Sequence, residues 1–209
     1  FTTFGPLIMN IILASTSPYR RQLLSRLRLA FTCTDPAVDE SPLTDELAAD
    51  RACRLARQKA EAVSGAAGQS AAIVIGADQV ACLGDQILHK PGSVGDAIAQ
   101  LSACSGKKIQ FWTAVSVQCH ATRAHFQQLV SCEVTMRTLT SEEIERYVAL
   151  DKPLDCAGSF KWESLGITLF ESMQTADPTA LEGLPLIALC DLLRQVGVSL
   201  PLAAQASQH

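Results

Sequence analysis

The stretch that most restricts how this chain folds is residues 11–21, which reads Ile-Ile-Leu-Ala-Ser-Thr-Ser-Pro-Tyr-Arg-Arg. An apolar run stops at hydroxyl residues, a proline follows, and an amphipathic segment opens with two arginines. Ser17 suits a helix N-cap and Pro18 the first helical position, where a missing N–H costs nothing. A strand feeding a helix start in this way is the building unit of layered α/β folds. It also presents free backbone N–H groups and the positive end of a helix dipole, which together suit an anion. Arg20 and Arg21 add forked donors that fit phosphate oxygens. The same residues also read as a capped helix with two solvated arginines.

The rest of the chain alternates in the same manner. Residues 10–14 read as a buried strand, 18–28 as a helix and 31–34 as a second strand. Residues 35–42 form a loop that carries Glu40. Helical spacing spans about 44–64, ending at Gly65, with Leu47, Leu55, Ala56, Ala60 and Val63 as the apolar stripe and Lys59 late in the helix. Residues 71–76 form an apolar run typical of a strand buried on both faces, expected to end at Ala77-Asp78. A hairpin at 83–87 and a short helix reaching about residue 103 follow. Residues 109–119 and 126–136 read as an antiparallel pair. Further helices are expected from Thr140 to about Leu150 and over 185–196. The pattern predicts an α/β domain with a mixed sheet, over residues 10–197 and in two lobes. Residues 1–9 read as an N-terminal extension whose origin the sequence leaves open, Met9 being a natural start, and 198–209 as a tail.

Composition excludes several classes of function. Seventeen Lys and Arg stand against 21 Asp and Glu, a net charge of −4. No broad basic field exists for extended nucleic acid or an anionic membrane, but a small polyanion held by a few local cations fits. The eight cysteines occur singly, with no C-x-x-C pair, and so read as small core filler in a reducing, cytoplasmic setting. No apolar run reaches the ~20 residues of a membrane span. No Walker-type phosphate loop, G-x-G-x-x-G or G-x-S-x-G elbow is present.

Charged residues gather at strand ends and neighbouring loops: Arg20, Arg21, Glu40, Asp78, Lys90 and Lys161. Two carboxylates among several cations are the parts of metal-assisted phosphoryl chemistry, with carboxylates for a divalent ion and Arg or Lys for phosphate charge.

The ordered blocks carry a resemblance. Leu13-Ala14-Ser15-Thr16-Ser17-Pro18-Tyr19-Arg20-Arg21, Val38-Asp39-Glu40, Arg54-Leu55-Ala56-Arg57-Gln58-Lys59-Ala60, Gly76-Ala77-Asp78-Gln79-Val80, His89-Lys90-Pro91, Asp155-Cys156-Ala157-Gly158 and Glu182-Gly183-Leu184-Pro185-Leu186 resemble, in order, the Maf family of nucleotide pyrophosphatases. The resemblance covers residues 10–197. It implies an elongated mixed α/β fold with a central cleft, shared with inosine triphosphate pyrophosphatases, and a homodimer. It implies hydrolysis of a nucleoside triphosphate between its α and β phosphates with a divalent cation such as Mg²⁺ or Mn²⁺. Asp78 is then the group that activates water and a metal ligand with Glu40. Ser15, Arg20, Lys59 and Lys90 line the phosphate site, where Arg21 and Lys161 are also expected.

Three departures from the general family pattern point to one branch. Tyr19 stands where the branch acting on thymidine and uridine triphosphates has arginine, Gln79 where it has threonine, and Glu163 where it has glutamine. In these, and in Cys156 and the 166–171 segment, the chain is similar to the branch that cleaves 7-methyl-GTP. Losing an arginine and gaining a carboxylate favours a cationic base over a neutral one. Tyr19 is placed to stack on the charged ring, Glu163 to accept from its N1–H and exocyclic amine, and Gln79 to position the base or Glu163. The competing expectations are a pyrophosphatase for dTTP or UTP, one of broad specificity, and a nucleotide- or nucleic-acid-binding regulator of septum formation.

Overall fold

The computed structural model describes residues 10–66 and 72–201. The expected N-terminal extension and most of the tail lie outside the described residues. The elements are β1 (Asn10–Ala14), α1 (Pro18–Ser25), β2 (Phe31–Thr34), α2 (Ala48–Ala66), β3 (Ala72–Leu83), β4 (Gln86–Leu88), α3 (Val94–Cys104), β5 (Lys108–Cys119), β6 (Ala124–Met136), α4 (Ser141–Asp151), β7 (Phe170–Thr175) and α5 (Leu186–Gln195), with short 3-10 turns at Ala157–Ser159, Leu165–Leu169 and Pro178–Glu182. The seven strands form one mixed sheet in the order β2-β1-β3-β5-β6-β7, with β4 paired to β3. β1 runs parallel to β2 and β3. Along β3-β5-β6-β7 each strand is antiparallel to the next.

The long strands explain how the core divides. Side chains alternate between faces along a strand. On one face of β3, Ala72, Val74, Val80 and Cys82 pack with Ala52, Ala56, Ala60 and Val63 of α2. On the other face, Ile73, Ile75 and Ala77 join a core under α1 and α5, whereas Ala81 joins a second core under α3 and α4. The partner strand β5 divides likewise, with Val115 and Val117 in the first core and Ile109 and Phe111 in the second. Between the two cores lies the cross-strand pair Gln79 and Thr113. The 3-10 turn Pro178–Glu182 fills this divide with polar contacts, since the Thr113 hydroxyl donates to the Ala180 carbonyl at 2.9 Å.

Several expected boundaries shift. β3 does not stop at Ala77; it runs 12 residues in all, to Leu83, so Asp78 stands mid-strand. It gains its hydrogen bonds there from β5, opposite Ala114. α2 begins at Ala48 and runs through Gly65, which leaves Leu47 outside the helix and 68% exposed. The edge strand β7 has no counterpart in the sequence reading. Of the cysteines, Cys82, Cys104, Cys119 and Cys132 are buried and Cys33 is exposed; all eight are free thiols. Among the described residues no helix is long and apolar enough to cross a membrane.

Candidate active site

The register of β1 against β3 ends at Leu13 and Ile75, and β4 joins β3 only from Ala81. Between these partners the edge of β3 lies open. A cavity of about 680 Å³ surrounds it, reached by Asp78 from one face of the strand and by its neighbour Gln79 from the other.

On the Asp78 side the chemistry rests on a close approach of helix to sheet. A Cβ at Gly76 would lie 2.2 Å from the Ala56 carbonyl oxygen and 2.7 Å from the Ala60 nitrogen. Glycine there lets the small-residue face of α2 lie directly on β3, so Lys59 meets Asp78. Its ammonium donates to Asp78 Oδ1 at 2.7 Å and lies 2.6 Å from Glu40 Oε1. Lys59 and Asp78 are both buried, whereas the Glu40 side chain is 58% exposed. Burial works to raise the Glu40 carboxyl, but the hydrogen bond and charge of Lys59, helped by Arg20 and Lys90, outweigh it and hold Glu40 below the usual range.

Glu40 reaches this position because its loop is strapped to α2. Arg51 Nη2 donates to the Glu40 carbonyl at 2.7 Å. Arg54 holds the Ser41 carbonyl at 3.1 Å and grips Glu46 through Nε and Nη2. The sequence reading missed this role, although two arginines three residues apart share one helix face.

Arg20 enters from α1. Ser17 caps that helix by accepting from the Arg20 backbone N–H at 3.4 Å, and Ser15 Oγ accepts from Ser17 N at 3.1 Å, which leaves the Ser15 hydroxyl proton free to donate. The Arg20 Nε donates to the Gly183 carbonyl at 2.8 Å. Burial draws its guanidinium pKa down, opposed by Asp78 and Glu40. Lys90 also lines the cavity.

Arg21 and Lys161 do not line it. Arg21 is exposed, because one residue along a helix turns the side chain by about 100°. Lys161 directs its ammonium to the Asp151 carbonyl at 3.1 Å, and its own backbone N–H donates to the Tyr147 hydroxyl at 2.9 Å.

A second group of lining residues is aromatic and acidic: Tyr19, Asp155, Trp162, Glu163 and Glu182, with Asp155 acting on Glu163 and Glu163 on Glu182 as like charges. The Tyr19 hydroxyl donates to Asp155, with its oxygens at 3.1 and 3.3 Å, so one side of the cleft touches the other. Burial, then Cys156 and Asp155, push the phenol pKa up, and burial with Asp155 pushes the Cys156 thiol up to about 12. Glu163 has its carboxyl raised, first by burial. Gln79 donates Nε2 to the carbonyls of Ala180 at 2.8 Å and Leu181 at 3.2 Å. Its amide nitrogen thus secures the 3-10 turn rather than reaching Glu163. Trp162 Nε1 is buried with no partner among the described residues.

The residues fit a hard divalent cation. Carboxylates from two separate elements converge on one point, and Glu40 Oε2 and Asp78 Oδ2 have no hydrogen-bond partner among the described residues. No group of three or more His, Cys, Asp or Glu gathers among the described residues to form a closed cage. One or two carboxylates, completed by water and phosphate oxygens, are the usual magnesium donor set.

These features define an α/β protein with a mixed sheet and a cleft lined by one group of cations paired with two carboxylates and by a second group that is aromatic and acidic. The model of the family described as "Maf-like protein" matches residues 10–196, and the chain belongs to that family. It is 53% identical over 192 residues to the 7-methyl-GTP pyrophosphatase of Xanthomonas oryzae pv. oryzae strain MAFF 311018, covering 92% of this chain and 99% of that one. It is 47% identical over 194 residues to the 7-methyl-GTP pyrophosphatase of Pseudomonas putida, covering 93% and 100%. Among solved structures it is similar in fold to the Ham1 protein of Staphylococcus aureus, with a TM-score of 0.52 and 14% identity over 90% of this chain and 99% of that one. The mixed α/β fold expected from the sequence is thereby found.

Proposed function

We propose that the protein hydrolyses 7-methyl-GTP to 7-methyl-GMP and pyrophosphate, as the names of its half-identical relatives suggest. The observation that carries this reading is the polarity of the cavity. Arg20, Lys59, Lys90 and the carboxylates Glu40 and Asp78 form one group of interacting charges in its lining, and Tyr19, Asp155 and Glu163 belong to another. A triphosphate seeks the first and a purine with a fixed positive charge seeks the second.

Asp78 is the general base. It takes a proton from a water molecule as the water oxygen attacks the α-phosphorus; the bond from that phosphorus to the bridging oxygen breaks, and its electron pair leaves with pyrophosphate. Lys59 orients Asp78 through its hydrogen bond to Oδ1. Arg20, Lys90 and the Ser15 hydroxyl meet the phosphate oxygens, where preorganised donors stabilise developing charge. Glu40 and Asp78 would hold the divalent cation, which when bound neutralises phosphate charge. Tyr19 stacks on the charged ring, a contact of about 0.5–2 kcal/mol. Glu163 accepts from the guanine N1–H and amine, and Gln79, its nitrogen held by two carbonyls, offers Oε1 as an acceptor. We place the protein in the cytoplasm, where thiols stay reduced, as a homodimer.

The test is release of pyrophosphate from 7-methyl-GTP, GTP, dTTP and UTP with Mg²⁺ or Mn²⁺. Preference for 7-methyl-GTP is the expected result. A preference for dTTP or UTP, or tight DNA binding without hydrolysis, refutes the reading.

A further inference from the structure

Glu182 belongs to the acidic group lining the cavity and takes no part in the mechanism above. Its side chain is 6% exposed, yet among the described residues its only oppositely charged partner is Arg26, 49% exposed at its side chain. A single nitrogen, Arg26 Nη2, lies 3.4 and 3.3 Å from the two carboxylate oxygens. That is the long end of the range for a charge-assisted pair, and it lacks the two parallel bonds of a forked one. A loose, half-exposed pair contributes little to stability, so it gives a poor structural reason for keeping a carboxylate out of water.

The backbone around Glu182 is held far more firmly than its side chain. Gln79 grips the carbonyls of Ala180 and Leu181, Thr113 grips Ala180 again, and Arg20 grips Gly183. Gly183 takes φ +95°, a left-handed conformation that glycine adopts without strain, and ends the 3-10 turn with its carbonyl turned to Arg20. Two residues that reach into the cavity from different elements therefore fix the peptide on either side of position 182. Glu163 belongs to the same group and acts on Glu182 as a like charge. Neighbouring carboxylates that repel one another are costly to assemble unless a cation comes between them.

We infer that Glu182 is a second specificity-determining carboxylate, which acts with Glu163 to select an alkylated, positively charged purine over its neutral parent. This rests on the function proposed above, whose substrate supplies the cation. Gln79 and Arg20 are positioning residues for this carboxylate as well as lining the site.

The deciding experiment measures kcat/KM for 7-methyl-GTP and GTP, and Kd for 7-methyl-GMP and GMP by calorimetry, in the wild type, Glu182→Gln, Glu182→Asp and Arg26→Gln. Glu182→Gln is expected to lower kcat/KM for 7-methyl-GTP about tenfold, mainly through KM, and to weaken 7-methyl-GMP equally, with GTP and GMP changed less than twofold. Glu182→Asp keeps part of the preference, and Arg26→Gln keeps all of it. Equal losses on both bases in Glu182→Gln, or a loss of preference in Arg26→Gln, would make Glu182 a structural partner of Arg26 and overturn the inference while leaving a selective wild type in place. A wild type that does not distinguish the two bases overturns the proposed function, and this inference with it. Should Glu182→Gln not fold, the Asp and Arg26 variants decide alone: preference abolished in Arg26→Gln or unchanged in Glu182→Asp counts against it.

Discussion

Gly76 lies so close to Ala56 that a methyl group on it would stand 2.2 Å from the Ala56 carbonyl oxygen. That contact lets α2 rest on β3 and sets Lys59 against Asp78. Gly76→Ala must push the helix away. Overpacking of this kind costs at least about 1–3 kcal/mol, and the Lys59–Asp78 bond opens with it. A fall in melting temperature together with a loss of turnover of about a hundredfold or more is expected; an unchanged melting curve and rate would remove the packing argument.

Asp78→Asn keeps shape and removes the base. Losing a positioned general base costs about 10²–10⁴ in rate. The variant should therefore show a kcat lower by that factor, with KM little changed and an unaltered circular dichroism spectrum. Retention of wild-type kcat would show that another group takes the proton.

Arg54→Ala releases the loop that carries Glu40 without touching the phosphates. The concentration of Mg²⁺ for half-maximal activity is expected to rise about tenfold, with the preference among bases unchanged. Arg54→Lys restores only part, because a lysine lacks the fork that spans Glu46 and Ser41. A metal titration separates this from general instability: a lower kcat at the same metal requirement would count against the strap.

Chelation of divalent cations should abolish turnover and leave the fold intact, because among the described residues no group of three or more His, Cys, Asp or Glu gathers to tie the cores together through a metal. Added Mg²⁺ or Mn²⁺ restores activity. Full activity in EDTA would remove the cation from the mechanism.

Glu163 gives the selectivity a pH dependence of known sign. Burial raises its carboxyl, opposed by its own backbone N–H and Lys161 and supported by Asp151 and Asp155. A raised carboxyl pKa keeps the neutral form to higher pH, so the charge is lost as pH falls through a value above the ordinary ~4.3. The ratio of kcat/KM for 7-methyl-GTP over GTP should fall on acidification, even though 7-methylguanine becomes more fully cationic. Glu163→Gln should flatten that fall. A ratio that rises as pH falls would mean that ligand charge alone decides.

Much of the fold could be read locally. The Ser17 cap, Pro18 and the hairpin between β3 and β4 are signals carried by a few adjacent residues. Asp78 was assigned to a strand end because a charge after an apolar run mimics one; only β5, 36 residues away at its partner Ala114, shows that the strand continues. β7 escaped notice because Phe-Glu-Ser-Met-Gln-Thr has no fully buried residue and so no strong alternation. Arg21 and Lys161 show that charge in a promising loop does not set direction. Arg20 and Arg21 differ only by their angle on a helix, and Lys161 finds a carbonyl behind its loop. Glu182 was out of reach for the opposite reason: the bonds that present it come from Gln79 and Arg20, remote in sequence, and leave no local mark.

The early stop of β1 has an evolutionary reading. Residues 78 and 79 are covalent neighbours, yet they face opposite sides of the sheet; in the function proposed above the first serves hydrolysis and the second nucleobase choice. On the function proposed above, base preference can diverge at Gln79, together with Tyr19 and Glu163 elsewhere in the cleft, while the Lys59–Asp78 pair on the other face of the strand stays as it is.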